Sequence, residues 1–294
     1  MNWDKKLFVY VVAGDSQVPR LNHSLEFLKH FVRSEVVVIA SRCTLPINHD
    51  QVVRPYIAER FDDHQASILL KTGINRIFGK VPGQCCYIDS DVIAVSHDVE
   101  KIFSEKRGPV TFAADHTRLG WFSRYAVRCS CERGECDHLR QAISAKFGVE
   151  VSDPNWQHWN GGVFLFESGS GAFLDTWHDL TRAAFEDPFW RTRDQGTLVA
   201  AVWRHGLQNQ VTLDRRYNYI VDPWWQVSQG ARVGKLPAAY RVDSSYSLTG
   251  EPGLARPVFL HLINGAVGAA GWKNWDDAVD LLGKSRKRPP TQSV

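Results

Sequence analysis

Residues 84–95 read QCCYIDSDVIAV. Cys85 to Ile88 is a short apolar run that ends in two carboxylates, Asp89 and Asp91, on either side of Ser90. Apolar residues resume at Val92, Ile93 and Val95. A run of this length with β-branched and aromatic members predicts a strand buried on both faces. Asp is a poor strand former and costly to bury unpaired, so two of them at a strand's end require a cause. The carboxyl end of a central strand is where open α/β sheets bind ligands. With one residue between them, two carboxylates can share a hard cation, and such a cation can hold a diphosphate. The plain alternative is a strand-to-turn junction with Asp as turn former and helix cap.

Upstream, Leu7–Ala13 (LFVYVVA) is a second buried-strand pattern, broken by Gly14-Asp15-Ser16. Leu21, Leu25, Leu28 and Val32 follow at helical spacing, and Glu35–Ala40 (EVVVIA) reads as the next strand. This β-α-β opening is the sequence form of a parallel crossover unit. No G-x-G-x-x-G accompanies it and no G-x-x-x-x-G-K-[ST] occurs, which disfavours a dehydrogenase-type dinucleotide fold and a P-loop. Residues 65–78 predict one helix despite Gly73, and 99–103 a short helix. Residues 109–114 predict a strand with Asp115-His116 at its end. Residues 159–167 (WNGGVFLFE) predict a further strand, whose Gly161-Gly162 marks close approach by a backbone or a ligand. Helices are expected over 172–185 and 194–205, a loop at Asp222–Trp225, a last strand over 258–263 and a final helix over 272–282. Asp194 has an ordinary reading as a helix cap.

With 294 residues and 44% hydrophobic content the chain can bury a full core. A net charge of +3 is too small to argue for nucleic acid as the main partner. No secretory signal and no membrane-length apolar run is visible, so a cytoplasmic location is expected. The basic end KSRKRPPTQSV (284–294) reads as a flexible solvated tail, with attraction to an anionic inner membrane surface as the minor reading. In that setting the six cysteines are thiols or metal ligands rather than disulfides.

Four features occur in order: the strand-ending Asp89-Ser90-Asp91, Asn160-Gly161-Gly162-Val163, Arg193-Asp194-Gln195, and His261 in a late apolar run followed by Gly265. Together they resemble the nucleotide-sugar glycosyltransferases of the GT-A fold, closest to glycosyltransferase family 8 with its galactosyltransferases and glycogenin-like enzymes. The resemblance spans Leu7 to about Trp275. It implies an α/β, Rossmann-like, mainly parallel sheet flanked by helices, as one domain over residues 1–283, within which a cysteine-rich stretch at about 117–155 reads as an insert. It implies a DXD motif, Asp89 and Asp91, that holds Mn²⁺ (or Mg²⁺) with His261 as third ligand. It further implies that Lys71, Ser90, Asp115, Asn160 and Gly161 contact the donor, that Ala13, Gly14 and Asp15 form the nucleotide-binding turn, and that Asp194 and Gln195 flank the reacting sugar carbon. The implied activity is metal-dependent transfer of a sugar from a nucleotide diphosphate, a UDP-sugar, to an acceptor hydroxyl with retention. The acceptor stays open among saccharide, lipid-linked glycan, protein and small molecule. Lys71 stands where Arg is commoner, and the family's Lys-Pro-Trp after the late His is matched only loosely by Gly271–Trp275.

The chemistry agrees with that implication. A sugar diphosphate leaves with negative charge that a bridging cation stabilises. Carboxylates suit Mn²⁺ or Mg²⁺, and one imidazole tilts the choice toward Mn²⁺. Gln195 is neutral at every pH and cannot be a general base. A sugar-1-phosphate nucleotidyltransferase is disfavoured by the lack of a Gly-rich, Arg-containing loop after the first strand. A non-catalytic nucleotide-sugar-binding or zinc-stabilised scaffold is the alternative from a different class.

The family does not supply CSCERGECDH (129–138). Cys129, Cys131, Cys136 and His138 offer three thiols and an imidazole, the donor set of a tetrahedral structural Zn²⁺ site, and Gly134 permits a tight reversal between them. Disulfides or free surface thiols are the alternatives. Cys85 and Cys86 read as inert core residues.

Overall fold

The computed structural model describes residues 5–131, 134–221, 240–242, 253–265, 267–268 and 275–283. The expected loop at 222–225, residues 271–274 and the basic end lie outside them.

The first apolar run forms β1 (Lys6–Ala13), buried from Leu7 onward, as a strand covered on both faces requires. Its side chains divide by parity: Leu7, Val9, Val11 and Ala13 enter one core, and Phe8, Tyr10 and Val12 the other. α1 (Val18–Phe31) carries Pro19 in its first turn, where a missing N–H costs nothing. It leads to β2 (Glu35–Ser41), parallel to β1. The short β3 (Val52–Val53) adds to the edge of β2. α2 (Asp63–Thr72) starts with a reciprocal cap: Asp62 accepts from Gln65 N at 2.7 Å, and the Gln65 side chain accepts from Asp62 N at 3.1 Å.

The single helix expected over 65–78 breaks at Gly73, so that α3 (Ile74–Phe78) starts separately. Gly73 is the tight point against the next helix layer: a Cβ there would lie 3.1 Å from the His178 ring and 2.7 Å from the Leu69 carbonyl. β4 (Gln84–Ile88) and β5 (Val92–Ala94) follow, and the short helix expected near 99–103 is a 3-10 helix, Val99–Glu105. Then come β6 (Val110–Ala114), α4 (Leu119–Ala126), α5 (His138–Phe147) and β7 (Trp159–Phe166). α6 (Gly171–Phe185) and α7 (Gln195–Arg204) lead to β8 (Tyr219–Val221), β9 (Tyr240–Val242), β10 (Gly253–Ala255), β11 (Phe259–Leu262) and α8 (Trp275–Asp280).

The main sheet runs β3-β2-β1-β4-β7-β6. Its first four strands are parallel, and β7 is antiparallel to both of its neighbours. A second sheet, β5-β11-β8, starts where the first leaves off, because β5 directly follows the Asp89–Asp91 turn. The β9–β10 hairpin pairs separately.

A ladder of aromatic rings ties β4, β7 and β6 together. Tyr87 stacks on Phe164 at 4.8 Å, Phe164 on Phe112 at 4.6 Å, and Phe112 on Trp159 at 5.4 Å. Trp177 of α6 caps the ladder edge-on, 5.6 Å from Phe112 and 5.8 Å from Phe164. Such pairs contribute about 0.5–1.5 kcal/mol each beyond their burial. The ladder sets the height of the site residues, because Tyr87 is two residues from Asp89.

Candidate active site

Asp89-Ser90-Asp91 is a turn as well as a meeting point. Val92 N donates to the Asp89 carbonyl at 3.1 Å, closing the connection from β4 to β5, and Asp89 N donates to the Gly162 carbonyl of β7 at 2.8 Å. Leu262 N donates to the Asp91 carbonyl at 2.8 Å. This bond continues the antiparallel β5–β11 pairing, in which His261 faces Val92. The late apolar run therefore returns to the strand that begins beside the Asp pair, and His261 Nε2 arrives 3.2 Å from Asp91 Oδ1. One ligand atom from each of Asp89, Asp91 and His261 lies within 4.8 Å of the others.

The glycine pair makes this approach possible. In the β6–β7 register Phe112 faces Phe164, but Ala113 faces Asn160, so β7 bulges through Gly161-Gly162-Val163. Bulges of this kind re-aim side chains next to sites. A Cβ on Gly162 would lie 2.2 Å from His261 Cε1, and one on Gly161 would lie 3.0 Å from Lys71 Nζ and 3.1 Å from Asp194 Oδ2. The close approach expected from the sequence is made by side chains from three other elements.

A directed hydrogen-bond chain links His261 to the opposite side of the site. His261 Nδ1 lies 3.0 Å from Asn218 Oδ1, which places a proton on Nδ1 and makes Nε2, facing Asp91, the nitrogen that becomes a ligand once it gives up its proton. Asn218 Nδ2 donates to Asn160 Oδ1 at 2.9 Å, and Asn160 Nδ2 donates to Asp115 Oδ2 at 2.9 Å. Gln195 Nε2 donates to the same Asp115 oxygen at 2.8 Å. Each amide has one orientation that satisfies both of its neighbours.

Lys71 sits beneath, its side chain 7% exposed. Its ammonium is 2.8 Å from Asp194 Oδ2, 3.3 Å from Asp89, and 5.1 Å from the centre of the Tyr87 ring. Tyr87 donates its hydroxyl to Asp89 Oδ1 at 2.5 Å. Asp194 stands at the cap position of α7, yet its side chain makes no cap bond and turns to Lys71 instead. Trp177 Nε1 holds the Asp194 carbonyl at 3.1 Å, which fixes the start of α7 to the aromatic ladder.

The electrostatics follow from burial against pairing. Burial pushes the Asp89 carboxyl up, and the like charge of Asp91 helps to keep it raised against the pull of Lys71. For Asp91, burial is outweighed by His261, and the carboxyl falls below its ordinary value. Burial opposes the charge of His261, but Asp91 outweighs it and the imidazole is raised. Burial likewise opposes the charge of Lys71, and Asp194 with Asp89 more than restores it. Asp115 is held well below the carboxylate range: burial is overcome by His116, His158 and the Asn160 donor. Two carboxylates share this corner, one of them raised by burial and by its like-charged neighbour, and an imidazole nitrogen faces them. That donor set fits a divalent cation of the Mn²⁺ or Mg²⁺ type.

Ala13, Gly14, Asp15 and Ser90 lie at or just beyond the ends of the adjacent parallel strands β1 and β4. Ala13 ends β1, parallel to β4. Gly14 N donates to the Ser41 carbonyl. The Asp15 carboxylate accepts from Thr44 N at 2.7 Å, Leu45 N at 2.8 Å and the Thr44 hydroxyl, so it latches the loop after β2. Ser90 lies within the turn. Asn218 and Tyr87 escaped the sequence reading. Asn218, 2% exposed, precedes β8 with no local signal, and Tyr87 reads as an ordinary core aromatic.

No protein-family profile matches the sequence, and no curated protein sequence matches it. Known structures do. The chain is similar to the bifunctional glycosyltransferase WbbM, with TM-score 0.59, 13% identity, and 97% of this chain covered against 50% of that one. It thus spans half the length of WbbM. It is also similar to the galactosyltransferase LgtC, solved with donor and acceptor sugar analogues: TM-score 0.54, 11% identity, 97% of this chain and 98% of that one. Identities this low speak to architecture, and the architecture of this chain is the GT-A glycosyltransferase fold.

Proposed function

We propose that this chain is a metal-dependent glycosyltransferase of the family 8 type, moving a sugar from a nucleotide diphosphate donor, a UDP-sugar, to an acceptor hydroxyl with retention. The observation that carries this reading is the convergence of Asp89, Asp91 and His261 at one end of a hydrogen-bond chain whose other end is Asp115 and Gln195. In it, Asp89, Asp91 and His261 would hold Mn²⁺ or Mg²⁺. A divalent cation bound there would supply charge neutralisation to the departing diphosphate.

The chain's own residues do the rest. Lys71, kept cationic by Asp194 and Asp89, adds fixed positive charge next to the phosphates or the sugar. Asp115 stays ionised and, with its oxygens already accepting from Thr117, Asn160 and Gln195, orients those two amides at the donor sugar. Gln195 has its amide nitrogen committed to Asp115, which turns its oxygen dipole toward the reacting carbon, where positive charge develops. Asp194, ionised and tied to Lys71, positions that face. Among the described residues the carboxylates of the site are engaged by Lys71, His261 and amide donors, so in this reading the acceptor proton passes to the leaving phosphate oxygen. Ala13, Gly14 and Asp15 with Ser90 and Gly161 border the nucleotide and sugar.

The reaction class is tested by incubating the protein with Mn²⁺ and a panel of nucleotide sugars, and in parallel with nucleoside triphosphates plus sugar 1-phosphates. Release of nucleoside diphosphate from one or a few donors is expected. Consumption of triphosphate with pyrophosphate release would make the protein a nucleotidyltransferase. Donor binding with no turnover under any acceptor mixture would make it a scaffold.

A further inference from the structure

The cysteine-rich insert lies apart from the candidate active site and has no part in the reaction above. Its four donors converge: one ligand atom from each of Cys129, Cys131, Cys136 and His138 lies within 4.8 Å of the others. All six cysteines of the chain are free thiols. In a tetrahedral site with Zn–S near 2.3 Å and Zn–N near 2.0–2.1 Å, sulfur and nitrogen ligands stand about 3.6 Å apart. Cys131 Sγ and His138 Nδ1 are 3.6 Å apart. Gly134 takes φ +85 with open space around its Cβ position, the left-handed turn that brings Cys136 back to Cys131. We propose that Cys129, Cys131, Cys136 and His138 bind one structural Zn²⁺ that clamps α4 to the start of α5.

Three thiolates and one imidazole select a borderline-soft ion over the hard cations suited to Asp89 and Asp91. On binding, the three thiols release their protons to solvent and His138 stays neutral. Four protein ligands close the coordination sphere, so the site is structural. The surroundings are built for it. Ser123 Oγ of α4 accepts from Leu139 N at 2.9 Å and from the Cys136 thiol at 3.2 Å, and once that thiol has lost its proton to metal binding the hydroxyl can donate to the sulfur instead. Cys136 N donates to the Gly120 carbonyl at 3.0 Å. The clamp reaches the candidate active site through the chain just beyond it. Arg128 N donates to the Phe189 carbonyl and Arg191 N to the Ala126 carbonyl. A Cβ on Gly196 would touch Ala126, Trp190 and Leu139 at 3.1–3.4 Å, directly after Asp194 and Gln195.

Full-length protein purified without chelator is expected to carry about one zinc per chain, released when the thiols are titrated with a mercurial. Chelation is expected to lower the melting temperature. Cys131→Ala and His138→Ala should each lose the zinc, whereas Asp91→Asn should keep it, which separates this site from the Asp89–Asp91 corner. Should either cluster variant fail to fold, Co²⁺ exchanged into the wild-type chain gives an independent readout, the absorption bands of tetrahedral thiolate-bound cobalt. Folded protein with neither zinc nor that spectrum would overturn the proposal. So would a disulfide within the cluster, or zinc that survives Cys131→Ala and departs with Asp91→Asn.

Discussion

Gly162 and Asn218 decide where the His261 ring sits and which nitrogen it offers. A Cβ at Gly162 would occupy the space of His261 Cε1, and neither the ring nor the β7 backbone can yield cheaply. Gly162→Ala is expected to cost about 1–3 kcal/mol of stability and to remove metal-dependent turnover. Gly161→Ala meets the flexible end of Lys71 first and should be milder in denaturant melts and in activity. The reverse order would mean that the bulge, not the imidazole, limits this position. Asn218→Ala removes the acceptor that fixes the Nδ1 proton. By analogy with other outer-shell partners it should weaken Mn²⁺ binding by about 10–100-fold, measured by calorimetric titration, while the fold survives.

At the scale of elements, the contact of α2 with α6 carries a titration of its own. His178 of α6 lies 2.9 Å from the Thr72 hydroxyl of α2, which itself donates to the Ile68 carbonyl, so the neutral ring donates through Nδ1. Burial, with Arg76 adding like charge, pushes the imidazole down to about 4 from its ordinary 6.5. Between those two values the unfolded chain binds a proton that the native chain does not, so stability falls as pH drops through that window. The loss is about 3 kcal/mol at most. His178→Gln is expected to flatten the dependence of unfolding free energy on pH between about 6.5 and about 4. An unchanged slope would place the acid sensitivity elsewhere. The joint between α6 and α7 is a packing matter. Trp177 fills the edge of the aromatic ladder and holds the Asp194 carbonyl, so Trp177→Ala should cost about 3–5 kcal/mol and disorder the Asp194 face together with the core.

For the whole molecule, local pattern and long-range pairing contribute differently. The β-α-β opening, the buried strand ending in Asp89-Ser90-Asp91 and the amphipathic α6 were legible because periodicity and turn chemistry are local. Gly161-Gly162 carried a legible warning of close approach, while the ordinary cap reading of Asp194 does not hold, since its side chain makes no cap bond and pairs with Lys71. The reversal of β7 was not legible, since an apolar run reads the same in either direction. Nor was the second sheet, which joins residues near 93 to residues near 260, or Asn218, whose role exists only once β8 lies beside β11. The helix break at Gly73 falls where the backbone packs against the His178 ring of α6, a neighbour that local sequence does not display. Among the described residues no helix is long and apolar enough to cross a membrane. If the two sheets meet around one metal-bound donor, the ligands should stabilise the entire fold. At about 100 times Kd a donor adds about 2.7 kcal/mol, a melting shift of roughly 5 °C for a chain of this size, seen only when Mn²⁺ and nucleotide sugar are present together.

One corner of the molecule is decisive, and one comparison reaches it directly: Mn²⁺-dependent release of nucleoside diphosphate from the preferred donor by wild-type protein and by Asp91→Asn. Wild-type turnover should vanish with chelator and return with Mn²⁺, and the folded variant should show none at any Mn²⁺ concentration. Turnover by Asp91→Asn at the wild-type rate, or wild-type turnover indifferent to chelator, would contradict the assignment of Asp89, Asp91 and His261 as the metal site.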